Sequence, residues 1–228
     1  MTSGFPLGAT GHFPTSAEEA LEMEFLVTMT THVPDGTSER AVADVRTREA
    51  ARSGQLVAQG HLLHVWRPPL EPGEWRTLGL FAADDGVELE EVLSSMPLRV
   101  WRTDEVTPLS PHPDDPGRQT DGPGRPRPEP GVPEFLTTFT AVVAADAAPG
   151  GADAITRPEA ARAKELAAQG YLERLWTLPG EGRALGLWRA PDSAQMDAIL
   201  ESLPFFPQVS VQTTPLTPHP SDPARTGG

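Results

Sequence analysis

The chain has 228 residues and no cysteine, and its 32 acidic against 18 basic residues leave a formal net charge of −14. Lack of cysteine excludes a disulfide framework, a thiolate zinc site, a thiol nucleophile and an iron–sulfur cluster, and the acidity opposes phosphate backbones, so no nucleic-acid partner is expected. No run approaches the ~18 apolar residues of a membrane helix and the first basic residue is Arg40, so the expected setting is cytoplasmic, with no membrane partner.

Residues 1–22 have no counterpart later in the chain and read as a mobile tail. A strand is predicted over 24–31, where Phe25, Val27 and Met29 alternate with Leu26, Thr28 and Thr30. A long helix follows over 38–59 and is stopped by Gly60. Strands over 61–67 and 75–82 flank a turn rich in proline and glycine. The second helix, 86–96, has Leu89, Val92, Leu93 and Met96 at helical spacing and ends at Pro97. A last strand over 99–107 runs into Pro111-His112-Pro113. The segment 116–132 is dense in proline, glycine and arginine and reads as an exposed linker.

After the linker the same order returns. Glu24-Phe25-Leu26 reappears as Glu134-Phe135-Leu136, Glu49-Ala50-Ala51-Arg52 as Glu159-Ala160-Ala161-Arg162, and Trp66 as Trp176, each 110 positions later. Past a three-residue deletion, Leu78-Gly79-Leu80-Phe81 matches Leu185-Gly186-Leu187-Trp188 and Pro218-His219-Pro220 repeats the first Pro-His-Pro, 107 positions on. The chain therefore divides into a first domain over 23–115, the linker, a second domain over 133–223 and a short tail over 224–228. Each domain reads β-α-β-β-α-β, an α+β unit of ferredoxin-like type with both helices on one sheet face. The bare face needs a cover. Two copies in one chain supply it by pairing sheet to sheet as a dimeric α/β barrel, either as an intramolecular pseudo-dimer or within a homo-oligomer.

Three sets of side chains carry candidate chemistry. On the first helix Val42, Val45, Glu49, Arg52 and Leu56 form one stripe, so Glu49 and Arg52 interrupt a sheet-facing side. Glu159 and Arg162 repeat the phase. A carboxylate there has its pKa raised by desolvation or lowered by the arginine, and either suits a general base; the plainer alternative is an i,i+3 ion pair. On the second strand His64 and Trp66 share one face, with Arg67 on the other, and Arg174 and Trp176 share a face in the second copy. A tryptophan beside a histidine or arginine suits a small planar substrate; the alternative is that Trp66 and Trp176 fill the core between the sheets. His112 and His219, flanked by prolines, sit on stiff extended arms suited to an assembly contact or to closing a pocket. Two such histidines do not make a metal site.

Val65-Trp66-Arg67, Leu175-Trp176, Leu203-Pro204-Phe205-Phe206-Pro207, Thr107-Pro108-Leu109 with His112-Pro113, and Thr214-Pro215-Leu216 with His219-Pro220-Ser221 resemble, in order and spacing, the motifs of the muconolactone delta-isomerase family. The resemblance covers both copies. It implies a ferredoxin-like fold, oligomeric assembly and a small-molecule substrate of aromatic catabolism. It also implies a proton shift on an unsaturated lactone that needs neither metal nor other cofactor. Glu49 and Glu159 are then the catalytic candidates, with Arg52, His64, Trp66, Arg67, Arg162, Arg174, Trp176, His112 and His219 as substrate-binding candidates. The chain departs from the family where Ala50 and Ala160 replace a lysine after the helix glutamate, Gln55 replaces a glutamate retained as Glu165, and His61 and Tyr171 replace a second lysine. The first copy keeps Glu49, His64 and Arg67 and reads as the more site-like half. Two alternatives stand beside isomerisation: a non-catalytic small-molecule-binding or scaffolding relative, and a cofactor-independent oxygenase or cyclase of polyketide tailoring.

Overall fold

A computed structural model describes residues 23–118, 131–142 and 151–223, with backbone alone for 118 and 151–157. The predicted tails and the middle of the linker lie outside the described residues. The first half contains β1 (Met23–Thr31), α1 (Glu39–Ala58), β2 (Leu62–Arg67), β3 (Arg76–Ala83), α2 (Gly86–Ser94) and β4 (Arg102–Pro111). The second repeats them as β5 (Glu134–Ala141), α3 (Gly151–Ala168), β6 (Leu172–Thr177), β7 (Arg183–Arg189), α4 (Ser193–Glu201) and β8 (Val209–Pro218).

Local chemistry sets these boundaries. The Ser38 hydroxyl accepts the Ala41 amide at the start of α1, and the Asp85 carboxylate accepts the Val87 and Glu88 amides at the start of α2. Gly60, with φ of 83°, takes the left-handed turn that releases the chain from α1. Strand β4 runs on to Pro111, past the expected end at 107, and two further boundaries differ from the sequence expectation by more than one residue. Helix α2 stops at Ser94 rather than 96, and β4 begins at Arg102 rather than 99, because Pro97 opens a short 3-10 turn over Pro97–Trp101. At the start of the predicted linker, Pro116–Arg118 form a 3-10 turn.

Each half is an antiparallel sheet in the order β4-β1-β3-β2 or β8-β5-β7-β6. Along β1 the alternation buries Phe25, Val27 and Met29 beneath Leu56 of α1 and Leu89 and Leu93 of α2. Phe135 and Phe139 do the same against Leu166, Met196 and Leu200 in the second half. The opposite sheet faces meet each other, and the joins close an eight-stranded barrel. Trp66 lies opposite Pro218 where β2 meets β8, and Pro111 lies opposite Trp176 where β4 meets β6.

Inside the barrel Trp66, Leu80 and Leu109 of one half pack with Trp176, Leu187 and Leu216 of the other. Both indoles are buried to 1% exposure, so each N–H needs a partner. Each finds it across the pseudo-dimer: Trp66 Nε1 donates to Glu134 at 2.7 Å and Trp176 Nε1 donates to Glu24 at 2.7 Å. The carboxylates are held in turn by arginines of the second half, Arg189 on Glu134 and Arg174 on Glu24, each at 2.6 Å. Removing a ring and removing its hydrogen bond have separable costs. Trp176→Ala lowers unfolding free energy by about 3–5 kcal/mol through the cavity it leaves. Trp176→Phe, which keeps most of the packing but strips Glu24 of a donor, costs about 1–3 kcal/mol. Equilibrium denaturation by urea checks both.

Candidate active site

Between the helical layer and the outer sheet face, each half holds a cavity, of about 330 Å³ in the first and about 300 Å³ in the second. A glycine shapes each floor. A Cβ on Gly79 would stand 2.4 Å from the Phe81 ring, and one on Gly186 would stand 2.3 Å from Trp188 Nε1, so only glycine lets these rings lie over the sheet. Phe81 lines the first cavity and Trp188 the second.

Glu49 is on the wall of the first cavity, with its side chain 13% exposed. Its carboxylate accepts the Leu98 amide at 2.8 Å and the Arg102 guanidinium at 3.3 Å. Burial raises its pKa above the ordinary carboxylate value, while the Leu98 amide and Arg102 pull it back. Arg102 is itself divided between Glu49 and Asp104, which lies 2.6 Å from its Nε. Arg46, stacked 4.4 Å over the Trp75 ring, and Arg67 complete a cationic wall. Ala50, which stands where the resembling family has lysine, opens onto this same cavity.

Glu159 occupies the matching place in the second cavity and accepts the Phe205 amide at 3.2 Å. Arg102 has become Val209 here, and burial raises the Glu159 pKa to about 7, against the Phe205 amide that lowers it and with Asp114 adding to the rise. Phe139, Trp188, Leu203 and Phe205 line the same cavity.

The Pro-His-Pro arms exchange between halves. His219 donates its backbone amide to the Val65 carbonyl at 2.9 Å and lines the first cavity; His112 donates to Leu175 at 3.2 Å and lines the second. In both rings Nδ1 accepts the amide two residues on, at 3.1 Å, so the neutral ring has its proton on Nε2. Burial lowers the His112 pKa and keeps that ring neutral.

The other sequence-predicted site residues lie elsewhere. Arg52 leaves Glu49 and bonds Ser95 at 2.8 Å and Gln55 at 3.1 Å. Arg162 likewise bonds Ser202 at 2.8 Å and Glu165 at 2.6 Å. These arginines tie the long helix of each half to the end of its short one. Trp66 and Trp176 are inside the barrel. His64 stacks on Trp66 with centroids 4.8 Å apart and faces Asp222 at 3.5 Å; Arg174 lies 4.8 Å over Trp176 and binds Glu24 and Asp115. A third hollow of about 290 Å³ adjoins His64 and Arg174 between the halves, and its arginines are already paired with carboxylates. Among the described residues no three histidine, aspartate or glutamate side chains group as metal ligands.

Sequence reasoning missed Arg102, Asp104, Arg46 and Trp75, which have no chemical equivalent in the second copy and so left no trace in the repeat. It also missed Asp115 and Asp222, both fully buried, and Glu24 and Glu134 as barrel ligands. For these four the signal was present: charged residues recurring in both copies, one pair opening an apolar strand and the other following Pro-His-Pro.

A family model described as muconolactone delta-isomerase matches residues 23–115 and again 134–222. Muconolactone Delta-isomerase 1 of Acinetobacter lwoffii is 33% identical over 91 residues, 40% of this chain and 92% of that protein. Muconolactone Delta-isomerase of Acinetobacter baylyi is 30% identical over the same shares. Each such relative is thus about one repeat long. Solved structures share the two-repeat fold at low identity. A haem-binding protein from Thermus thermophilus has a TM-score of 0.55 at 10% identity, covering 90% of this chain and 94% of its own. A chlorite dismutase variant from Candidatus Nitrospira defluvii has a TM-score of 0.52 at 13% identity, covering 85% and 91%.

The raised Glu159 pKa also couples folding to pH. A carboxyl whose pKa is higher folded than unfolded favours the native state most below its unfolded value, and that contribution fades as pH climbs to the folded value. For Glu159 the window runs from the ordinary 4.5 to about 7. Glu159→Gln removes this component, so the melting temperature of the variant relative to the parent rises between pH 4.5 and pH 7.5, as calorimetry at each pH would record.

Proposed function

The chain belongs to the muconolactone delta-isomerase family, and from that premise we propose that its first cavity isomerises a small unsaturated lactone bearing a carboxylate, by moving one proton. The observation that supports this most is the meeting of Glu49 with Arg46, Arg67 and Arg102 on one cavity lining. A proton shift next to a lactone carbonyl needs a base near the acidic C–H and positive or donor groups where enolate charge collects. Glu49 serves as the base. Its raised pKa makes it a stronger base than a solvated carboxylate, and Arg102 with the Leu98 amide keeps enough of it ionised to act.

Substrate placement follows from the remaining charges. Arg67 and Arg46 stand at the exposed rim and take the substrate carboxylate. They compensate for the family lysine replaced by Ala50. Phe81 and Trp75 give apolar walls for the ring. As Glu49 removes the ring proton, the electron pair moves toward the carbonyl oxygen, where Arg102 and the His219 ring meet it. Glu49 then returns the proton at the other end of the conjugated system, giving the shifted double bond with no net change of atoms. The closing residue, His219, comes from the opposite half, so the first cavity is complete only in the paired barrel.

Glu49→Gln keeps an acceptor for the Leu98 amide but removes the base. Turnover of a carboxymethyl butenolide, followed by ultraviolet absorbance, falls at least ~100-fold with the melting transition preserved. In the parent protein kcat/KM declines on the acid side with an apparent pKa above the ordinary carboxylate value of 4.5. Undiminished turnover in the glutamine variant would remove Glu49 from the chemistry.

A further inference from the structure

The two cavities have the same frame and opposite electrostatics. Position by position, Thr31 of the first becomes Ala141, Ser53 becomes Ala163, Thr77 becomes Ala184 and Arg102 becomes Val209. The strand registers confirm the equivalence: Thr77 pairs with Met29 as Ala184 pairs with Phe139. Arg67 becomes Thr177, which does not line the second cavity. Among the described residues no arginine lines the second cavity. Its ionisable lining among the described residues is Glu159, Asp114 and His112. With two carboxyl groups and no arginine among its described residues, this lining disfavours an anion. Four apolar replacements, three on the sheet and Ala163 on α3, are what a cavity retains when its ligand has no charge to satisfy.

We propose that the second cavity is a separate site for an uncharged, largely apolar α,β-unsaturated carbonyl compound of butenolide size, with Glu159 as proton carrier and His112 as donor to the carbonyl oxygen. The placement of these two groups supports both roles. Glu159 comes from α3 of its own half and His112 from the arm of the other, and they share one lining. The Asp114 amide occupies His112 Nδ1 at 3.1 Å, leaving the Nε2 proton for a ligand oxygen. Trp188 and Phe205 supply flat apolar walls for a planar ring. In the step itself, the Glu159 carboxylate takes the γ C–H proton and the electron pair shifts through the double bond to the carbonyl oxygen. His112 Nε2–H steadies that oxygen, and the Glu159 carboxyl then delivers the proton to the α carbon. With its pKa near 7, Glu159 is divided between base and acid at neutral pH, as a carrier that must take and return a proton requires.

This inference borrows the proton-shift chemistry of the proposed function but not its cavity, so the two are separated by substrate charge. In deuterated buffer, 5-methyl-2(5H)-furanone, which has no carboxylate, is incubated with the full chain, and loss of its exchangeable ring-proton signals is followed by NMR. Exchange above buffer rate is expected. Glu159→Gln should reduce it at least ~100-fold, and Ala163→Leu, which fills the cavity without replacing an ionisable group, should reduce it at least ~10-fold. Circular dichroism and a cooperative melt establish that both variants fold. Absence of exchange in the parent overturns the inference, as does full exchange in Glu159→Gln. Loss of exchange in Glu49→Gln rather than Glu159→Gln also overturns it, by assigning the reaction to the first cavity. If instead the carboxymethyl butenolide is inert while the uncharged lactone exchanges, the proposed function falls and this inference stands.

Discussion

A β-α-β-β-α-β unit covers only the side of its sheet that carries helices, and the other side is too apolar to meet water. Duplication within one chain turns that liability into a closed barrel. The interior is held by more than contact between leucines. Each indole inside the barrel donates to a glutamate at the start of the other half's first strand, so the halves are keyed to one another through Trp66 with Glu134 and Trp176 with Glu24. Such bonds fix register, because a strand slipped by one residue would turn the glutamate outward and strand the indole N–H.

Closure decides where a cavity can form. The inner faces are consumed by the barrel, so the helix glutamates meet their hollows on the outer faces, between sheet and long helix. The same closure carries each Pro-His-Pro arm over to the opposite half, where its backbone bonds to the second strand and its histidine completes the cavity. Glu49 and Glu159 persist in both halves for a structural reason as well. The proline that ends the short helix opens a tight turn, and an amide of that turn has no helical acceptor; the glutamate supplies one. That duty keeps the carboxyl in place whatever the surrounding wall becomes, leaving the wall free to turn cationic in one copy and apolar in the other.

The fold was legible because its signals are periodic or doubled. Alternation in β1, the helical spacing of Leu89, Val92, Leu93 and Met96, and the repeat itself all follow from local rules, and two units with bare faces predict their own pairing. The candidate carboxylates were legible for the same reason, since they break an apolar stripe twice at the same phase. Direction was harder. Trp66 and Trp176 sit on the predicted strand face, but whether that face meets a ligand or another sheet depends on closure, which no single strand encodes. The partner of Glu49 is Arg102, far along the chain and absent from the second copy, while the nearby Arg52 reaches instead for Ser95. The crossing of the arms is likewise a long-range event. Only stiffness, not destination, is written in Pro-His-Pro.

The proposed chemistry rests on two helix glutamates held in partly dry cavities that the opposite half closes. Carbon-13 NMR of glutamate side-chain carboxyls, titrated from pH 3 to pH 9, reads this directly. Both Glu49 and Glu159 should titrate above the ordinary carboxylate value, with Glu159 near 7. Two unperturbed titrations close to 4.5 would mean that both side chains stand in water, and the cavities described here would then have no chemistry to shelter.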